Sequence, residues 1–262
     1  MGYGTYGRLG KDGVAAILKA LEVGYRHIDT AQSYDTEPMV GEALCRSGLP
    51  RKEIFVTTKI DTGNFAAGKL LPSLRRSLDA LAVDQIDLTL IHWPSPNGEL
   101  PLAAYLDQLA EAQDAGLTRL IGVSNFTIAL IGEAERRLGT GRIATNQIEL
   151  NPLFKNRKVA DNCQKRGIVV TCYLPIAHGG LGGNPVLEAI AATHGASVEQ
   201  VALAWELAKG YAAIPTSSRP ERIASNFAAI RLALTAADIA AIDALTDGPR
   251  AIDPDWGPDW DA

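Results

Sequence analysis

The sequence predicts an α/β chain folded as a single (β/α)8 TIM barrel over residues 1–262, with its active site at the carboxyl-terminal face of the strands. Three observations predict it. Short β-type runs alternate with helix-period stretches along the chain, the pattern of parallel strands joined by right-handed crossovers. The β-type runs are continuously apolar, as strands covered on both faces are. Asp29, Lys59, His92 and Ser124 close successive runs at intervals of 30–33 residues, and eight such units fill a barrel of about 250 residues.

Taken in order, strands are expected at 2–5, 25–29, 54–59, 86–92, 120–124, 143–148, 168–173 and 211–214. Helical periodicity runs through 13–22, 37–45, 69–81, 102–115, 128–138, 157–166 and 198–208. A helix at 236–245 is surplus to the eight units, and the Pro-, Asp- and Trp-rich tail 248–262 reads as loop. Gly2, Gly4 and Gly7 match a GxGxxG pattern, but only Met1 precedes them and no helix opens at once, so the dinucleotide fingerprint lacks its strand–turn–helix context.

Composition narrows the function. A net charge of −5 with scattered Lys and Arg argues against a nucleic-acid surface. Cys45, Cys163 and Cys172 form no CxxC pair and suit a reducing compartment. The first ten residues lack a signal-peptide core, and no apolar run approaches the roughly 20 residues of a membrane span. A cytoplasmic protein with no membrane partner is expected. No metal-ligand spacing, HExxH or GxSxG elbow is present.

Barrel strands deliver their carboxyl-terminal residues to one mouth. Asp29, Lys59, His92, Ser124, Asn125, Gln147 and Tyr173 all close strands, and Tyr34 follows Asp29 in the loop above it. Singly, such an Asp caps a turn, such a Lys is a rim charge, and a lone His is a structural residue. Four ionisable groups ending successive units at one face point instead to chemistry. A Schiff-base role for Lys59 conflicts with Asp29, which would keep the amine protonated. A non-redox barrel enzyme is one rival class, since a fold does not fix a reaction, and a non-catalytic binding module is the second.

The segments GYRHIDTAQSY (24–34), VTTK (56–59), DLTLIHWP (87–94), IGVSNF (121–126), NQIE (146–149) and IPTSSRPERIASN (214–226) resemble the aldo-keto reductase family in order and spacing. Within it the chain resembles the short bacterial 2,5-diketo-D-gluconate reductases, some of which also reduce methylglyoxal. The resemblance implies NADPH-dependent reduction of a small-molecule carbonyl by a monomer, with a catalytic tetrad of Asp29, Tyr34, Lys59 and His92. Tyr34 would protonate the nascent alkoxide, and Lys59, steadied by Asp29, would lower the phenol pKa. His92 would orient the carbonyl oxygen.

The same resemblance implies the NADPH/NADP+ contacts. Ser124, Asn125 and Gln147 would hold the carboxamide and Tyr173 would stack on the nicotinamide. Gly4, Thr5, Leu174, Pro175, Ile176 and Ile214 would line the cofactor's path, with the glycine-rich loop 179–183 as a mobile cover. Thr216, Ser217, Ser218, Arg219, Arg222 and Asn226 would receive the adenosine end. Thr216 stands where many members have Lys, which removes one cation from the 2′-phosphate site. Tyr6, Ile60, His92, Trp93 and Trp256 would touch substrate, with Trp260 as a further cover. The tail carboxylates Asp253, Asp255, Asp259 and Asp261 favour a neutral dicarbonyl over an anion.

Overall fold

The computed structural model describes residues 1–261. Eight parallel strands pair in chain order: β1 (Tyr3–Gly4), β2 (His27–Asp29), β3 (Phe55–Ile60), β4 (Ile86–Ile91), β5 (Thr118–Ser124), β6 (Ile143–Glu149), β7 (Val169–Tyr173) and β8 (Ala212–Ala213). The sheet closes on itself: the Gly2 amide donates to the Ala213 carbonyl at 2.8 Å, and the Gly4 amide to that of Pro215 at 3.0 Å. Closure removes the strand edges. It also explains Gly4, since a Cβ there would lie 2.8 Å from the Ile214 carbonyl oxygen.

The outer layer contains α1 (Gly10–Val23), α2 (Glu37–Arg46), α3 (Leu70–Leu81), α4 (Leu102–Asp114), α5 (Ile128–Leu138), α6 (Arg157–Lys165), α7 (Pro185–His194), α8 (Val198–Ala208), α9 (Pro220–Ala228) and α10 (Ala236–Asp243). The barrel and the alternation agree with the sequence pattern. The first and last strands are two-residue pairings, shorter than the apolar runs around them, because β1 and β8 soon diverge into loops. Helix α7 lies where no helix was expected. Its cue is local: Asn184 caps the Val186 and Leu187 amides, and Pro185 occupies the first turn. No single helix among the described residues is long and apolar enough to cross a membrane.

Alternation along each strand separates two environments. In β3, Lys59 faces the barrel interior while its neighbour Ile60 joins the apolar layer under the helices, with Ile28, Ile91 and Val123. Ile60 is fully buried there. The expectation that it touches substrate is therefore corrected: a β-strand cannot present two successive side chains to the same mouth.

Glu206 in α8 violates the polar-out rule. It is fully buried, neither carboxyl oxygen has a hydrogen-bond partner, and burial raises its pKa well above the ordinary carboxylate range. The folded state thus binds a proton that the unfolded chain releases above about pH 4.3. Stability from this group falls as pH rises from there toward its raised folded pKa. Glu206→Met is expected to stabilise the fold by about 1–3 kcal/mol. The gain in thermal unfolding temperature is expected to be larger at pH 8 than at pH 5.

Candidate active site

The carboxyl ends of β2, β3 and β4 bring together three of the four expected ionisable groups, and the 3-10 turn Gln32–Tyr34 supplies the fourth. Lys59, with no solvent exposure, donates to Asp29 Oδ1 at 2.5 Å and the Thr30 carbonyl at 2.8 Å, and reaches the Tyr34 hydroxyl at 3.4 Å. Tyr34 Oη lies 3.4 Å from His92 Nε2, the outer limit of hydrogen-bond reach in a free site. His92 Nδ1 lies 3.3 Å from Ser33 Oγ.

Burial is the largest influence on the Tyr34 phenol and raises its pKa; Lys59 pulls downward without overcoming it. Lys59 thus acts in the expected direction, and the net rise comes from burial, which the sequence reading did not weigh. Burial also opposes the charge on Lys59, but Asp29, followed by Tyr34, outweighs it and raises the ammonium pKa. Burial, reinforced by Lys59, lowers the His92 pKa to about 3. Around neutrality the site therefore holds a phenol, an ammonium and a neutral imidazole.

Gln32 positions the turn that carries Tyr34. Its amide nitrogen donates to Ser73 Oγ at 3.1 Å and Ser77 Oγ at 3.0 Å. Its oxygen accepts from the Asp61 amide at 2.9 Å and Asn64 Nδ2 at 3.0 Å. Sequence reasoning assigned Gln32 no role, although it lies two residues from Tyr34 in a quoted segment.

The expected carboxamide-binding residues form a connected set. Tyr173 donates to Asn125 Oδ1 at 2.9 Å, and Asn125 Nδ2 donates to the His92 carbonyl at 3.2 Å and Ser124 Oγ at 3.1 Å. Gln147 donates to Asp29 Oδ2 at 2.7 Å, a link that the sequence left unseen. Asn125 and Leu174 take positive φ values, 62° and 50°, as the chain leaves β5 and β7. Such backbone strain collects at functional sites. Pro175 is buried, whereas Leu174 and Ile176 are half-buried beside it. Within the glycine-rich loop Leu181 is fully buried.

At the expected adenosine end, Thr216, Ser218, Arg219 and Arg222 are exposed where α9 begins, Ser217 is half-buried and Asn226 is buried. Tyr3 donates to the Ser217 carbonyl at 2.5 Å, tying this segment to β1. Two exposed guanidiniums and several hydroxyls at a helix start fit a phosphate. Gly4 and Ile214 touch through the close approach that closes the barrel, and Thr5, fully buried, donates to the Asp29 carbonyl at 2.9 Å.

Tyr6 packs edge-on against Tyr34 with ring centroids 5.1 Å apart and is 66% exposed at the mouth. Trp93 meets Trp256 at 5.2 Å and Trp260 at 6.1 Å. The tail is docked by contacts that the sequence did not reveal. The buried Glu149 carboxylate accepts the Ala251 and Ile252 amides at 2.8 and 2.9 Å. The Arg250 guanidinium lies 3.5 Å from the Trp260 ring centroid and 4.8 Å from that of Phe154.

A parallel barrel with an ammonium, a phenol and an imidazole at its carboxyl-terminal mouth, beside a phosphate-suited helix start, defines a class of hydride-transfer barrel enzymes. The profile of the Aldo/keto reductase family matches residues 1–247, and the chain belongs to that family. It is 48% identical over 262 residues to methylglyoxal reductase DkgB of Escherichia coli O157:H7, covering 99% of this chain and 98% of the relative. It is 46% identical over 261 residues to the protein of that name from Yersinia pestis, with the same coverage. A solved structure assigned as a 2,5-diketo-D-gluconic acid reductase B superposes with a TM-score of 0.95 at 36% identity, covering 100% of this chain and 93% of that one. A Bombyx mori aldo-keto reductase solved in complex with NADP gives 0.87 at 34% identity, covering 97% and 91%.

The geometry ranks two substitutions. Lys59→Met removes the cation beside Tyr34 and is expected to lower turnover by about 10²–10⁴-fold. Asp29→Asn leaves that cation held by the Thr30 carbonyl and is expected to be milder. Steady-state rates that reverse this order contradict the assignment.

Proposed function

We propose that this chain reduces small aldehydes and ketones to alcohols with NADPH, and that Tyr34 delivers the proton. The observation that carries the reading is the buried Lys59–Asp29 pair at 2.5 Å, with the Tyr34 hydroxyl 3.4 Å from both Lys59 Nζ and His92 Nε2. When bound, NADPH supplies the hydride to the carbonyl carbon. The carbonyl oxygen, accepting negative charge as the C–H bond forms, takes the Tyr34 proton. Lys59 stabilises the phenolate that remains until solvent restores its proton. Neutral His92 donates through one ring nitrogen to orient the oxygen, and Tyr6, Trp93 and Trp256 wall the substrate.

Ser124, Asn125 and Gln147 are proposed to hold the nicotinamide carboxamide and Tyr173 its ring. Arg222, helped by Arg219 and the Ser217 and Ser218 hydroxyls, is proposed to take the 2′-phosphate. The name of the DkgB relatives supports methylglyoxal as one substrate, and the solved reductase supports 2,5-diketo-D-gluconate-like acids. The tail carboxylates discriminate less between these than their number suggests. Asp253 accepts Trp260 Nε1 at 2.7 Å and Asp261 accepts the Ile128 amide at 2.8 Å, so both are engaged within the protein. A cytoplasmic setting is supported by the free thiols Cys45, Cys163 and Cys172.

A panel of dicarbonyls and keto acids, followed by NADPH absorbance, tests the reading, and failure of every carbonyl in the panel to consume NADPH contradicts it. Tyr34→Phe is expected to retain NADPH binding and lose about 10²–10⁴-fold in turnover; activity within a few-fold of wild type removes Tyr34 from the role. Arg222→Ala is expected to weaken NADPH far more than NADH in fluorescence titrations. Equal losses would put the 2′-phosphate elsewhere. Deleting residues 257–262 is expected to raise the KM for the carbonyl and leave NADPH affinity nearly unchanged, and an unaltered KM in the folded truncation would make the tail structural only.

A further inference from the structure

The amino-terminal end of the barrel, opposite the mouth, contains features that the reaction does not use. The alternation that turns Lys59 and Tyr173 inward also turns Phe55 and Val169 inward at the far ends of the same strands. Polar pairs lie between the two ends: the Thr145 and Thr171 hydroxyls at 2.8 Å, and the Thr57 hydroxyl with His27 Nε2 at 2.9 Å. Below them opens a cavity of about 510 Å³. Phe55, Leu88, Leu120 and Val169 wall it from the strands, and Phe227 and Ile230 from α9 and the turn after it.

Two features point to an occupant. Val169 and Ile230 are 48% and 46% exposed, and both belong to this one lining. Small-ligand sites typically enclose about 300–1,000 Å³ of mainly apolar wall with a few polar groups. The cavity also has one sign of charge. Burial lowers the His27 pKa to about 4, so its ring is neutral, and the charged groups of the lining residues are the Arg26 guanidinium and the Met1 amino group, whose pKa burial lowers. Arg26 Nη1 donates to the Leu21 and Tyr25 carbonyls at 2.9 and 2.8 Å, which fixes the guanidinium without neutralising it, and no acidic side chain lines the cavity.

We propose that this cavity is a second binding site, for a small amphiphile with an aromatic or alkyl body and one acidic headgroup that pairs with Arg26. The apolar rim takes the body, and the guanidinium takes the carboxylate or sulfonate by a charge-assisted contact. The site lies at the opposite end of the strands from Tyr34, so its occupancy does not compete with cofactor or carbonyl.

The anionic dye 8-anilinonaphthalene-1-sulfonate, titrated by fluorescence into the full chain saturated with NADP+, tests this. One dye per chain is expected, displaced by octanoate and retained in the presence of carbonyl substrate. Val169→Asp and Ile230→Asp are each expected to weaken binding about tenfold or more, equivalent to about 1.4 kcal/mol. Arg26→Gln is expected to weaken it several-fold. All three variants are expected to keep wild-type turnover, and their unfolding temperatures provide a check on folding that does not depend on activity. Dye displaced by NADP+ or by substrate, or bound equally by wild type and all three variants, overturns the proposal. So does a wild-type dimer in sedimentation that Val169→Asp splits, because a second copy would then be the occupant.

Discussion

The site depends on one interaction, the contact between the Lys59 ammonium and the Asp29 carboxylate inside the barrel. Burying two charges costs more than their attraction returns unless the remaining donors and acceptors are satisfied. Here they are: Lys59 also meets the Thr30 carbonyl and Tyr34, and Asp29 also accepts from Gln147. Those bonds require Asp29 of β2, Lys59 of β3 and Gln147 of β6 to face one another across the interior of the closed sheet. Closure through the two hydrogen bonds donated by the Gly2 and Gly4 amides is thus part of the chemistry, because it fixes the circumference on which the partners face each other.

Tyr34 shows how opposing electrostatic effects are resolved. Desolvation penalises a phenolate and Lys59 rewards it, and desolvation is the larger influence. The result suits an acid. The proton stays on oxygen while the site waits, and the cation is already in place to receive the phenolate when the proton leaves. Such preorganised charge stabilises a transition state without reorganisation at the moment of reaction. His92, held neutral by its burial and by the same cation, adds a hydrogen bond without adding a second charge.

The barrel was legible in the sequence because it follows from period, as do the strand-ending Asp29, Lys59 and His92; Tyr34, which lies in a turn, came from the family resemblance. Parallel strands closed into one ring bring strand-ending polar residues at 30–33-residue intervals to a single mouth. Ile60, which the resemblance put at the substrate, lies on the opposite face of β3 from Lys59, a consequence of strand alternation. Gln32, Glu149 and Arg250 were not legible for a different reason. Each acts through partners far along the chain, such as Ser77 for Gln32 and Ala251 for Glu149, and no local pattern encodes those pairs. The net direction of the Tyr34 pKa was also hidden, since the sequence names the neighbouring charge but not the depth of burial.

The most direct measurement is the ionisation of Tyr34 itself, followed by NMR of ring-labelled tyrosine across alkaline pH in the wild type and in Lys59→Met. The account predicts a wild-type phenol that stays protonated through neutrality, with a midpoint above the roughly 10 of free tyrosine. It predicts a still higher midpoint in Lys59→Met, where the stabilising cation is gone. A phenolate present at neutral pH, or a midpoint that Lys59→Met leaves unmoved, would contradict it.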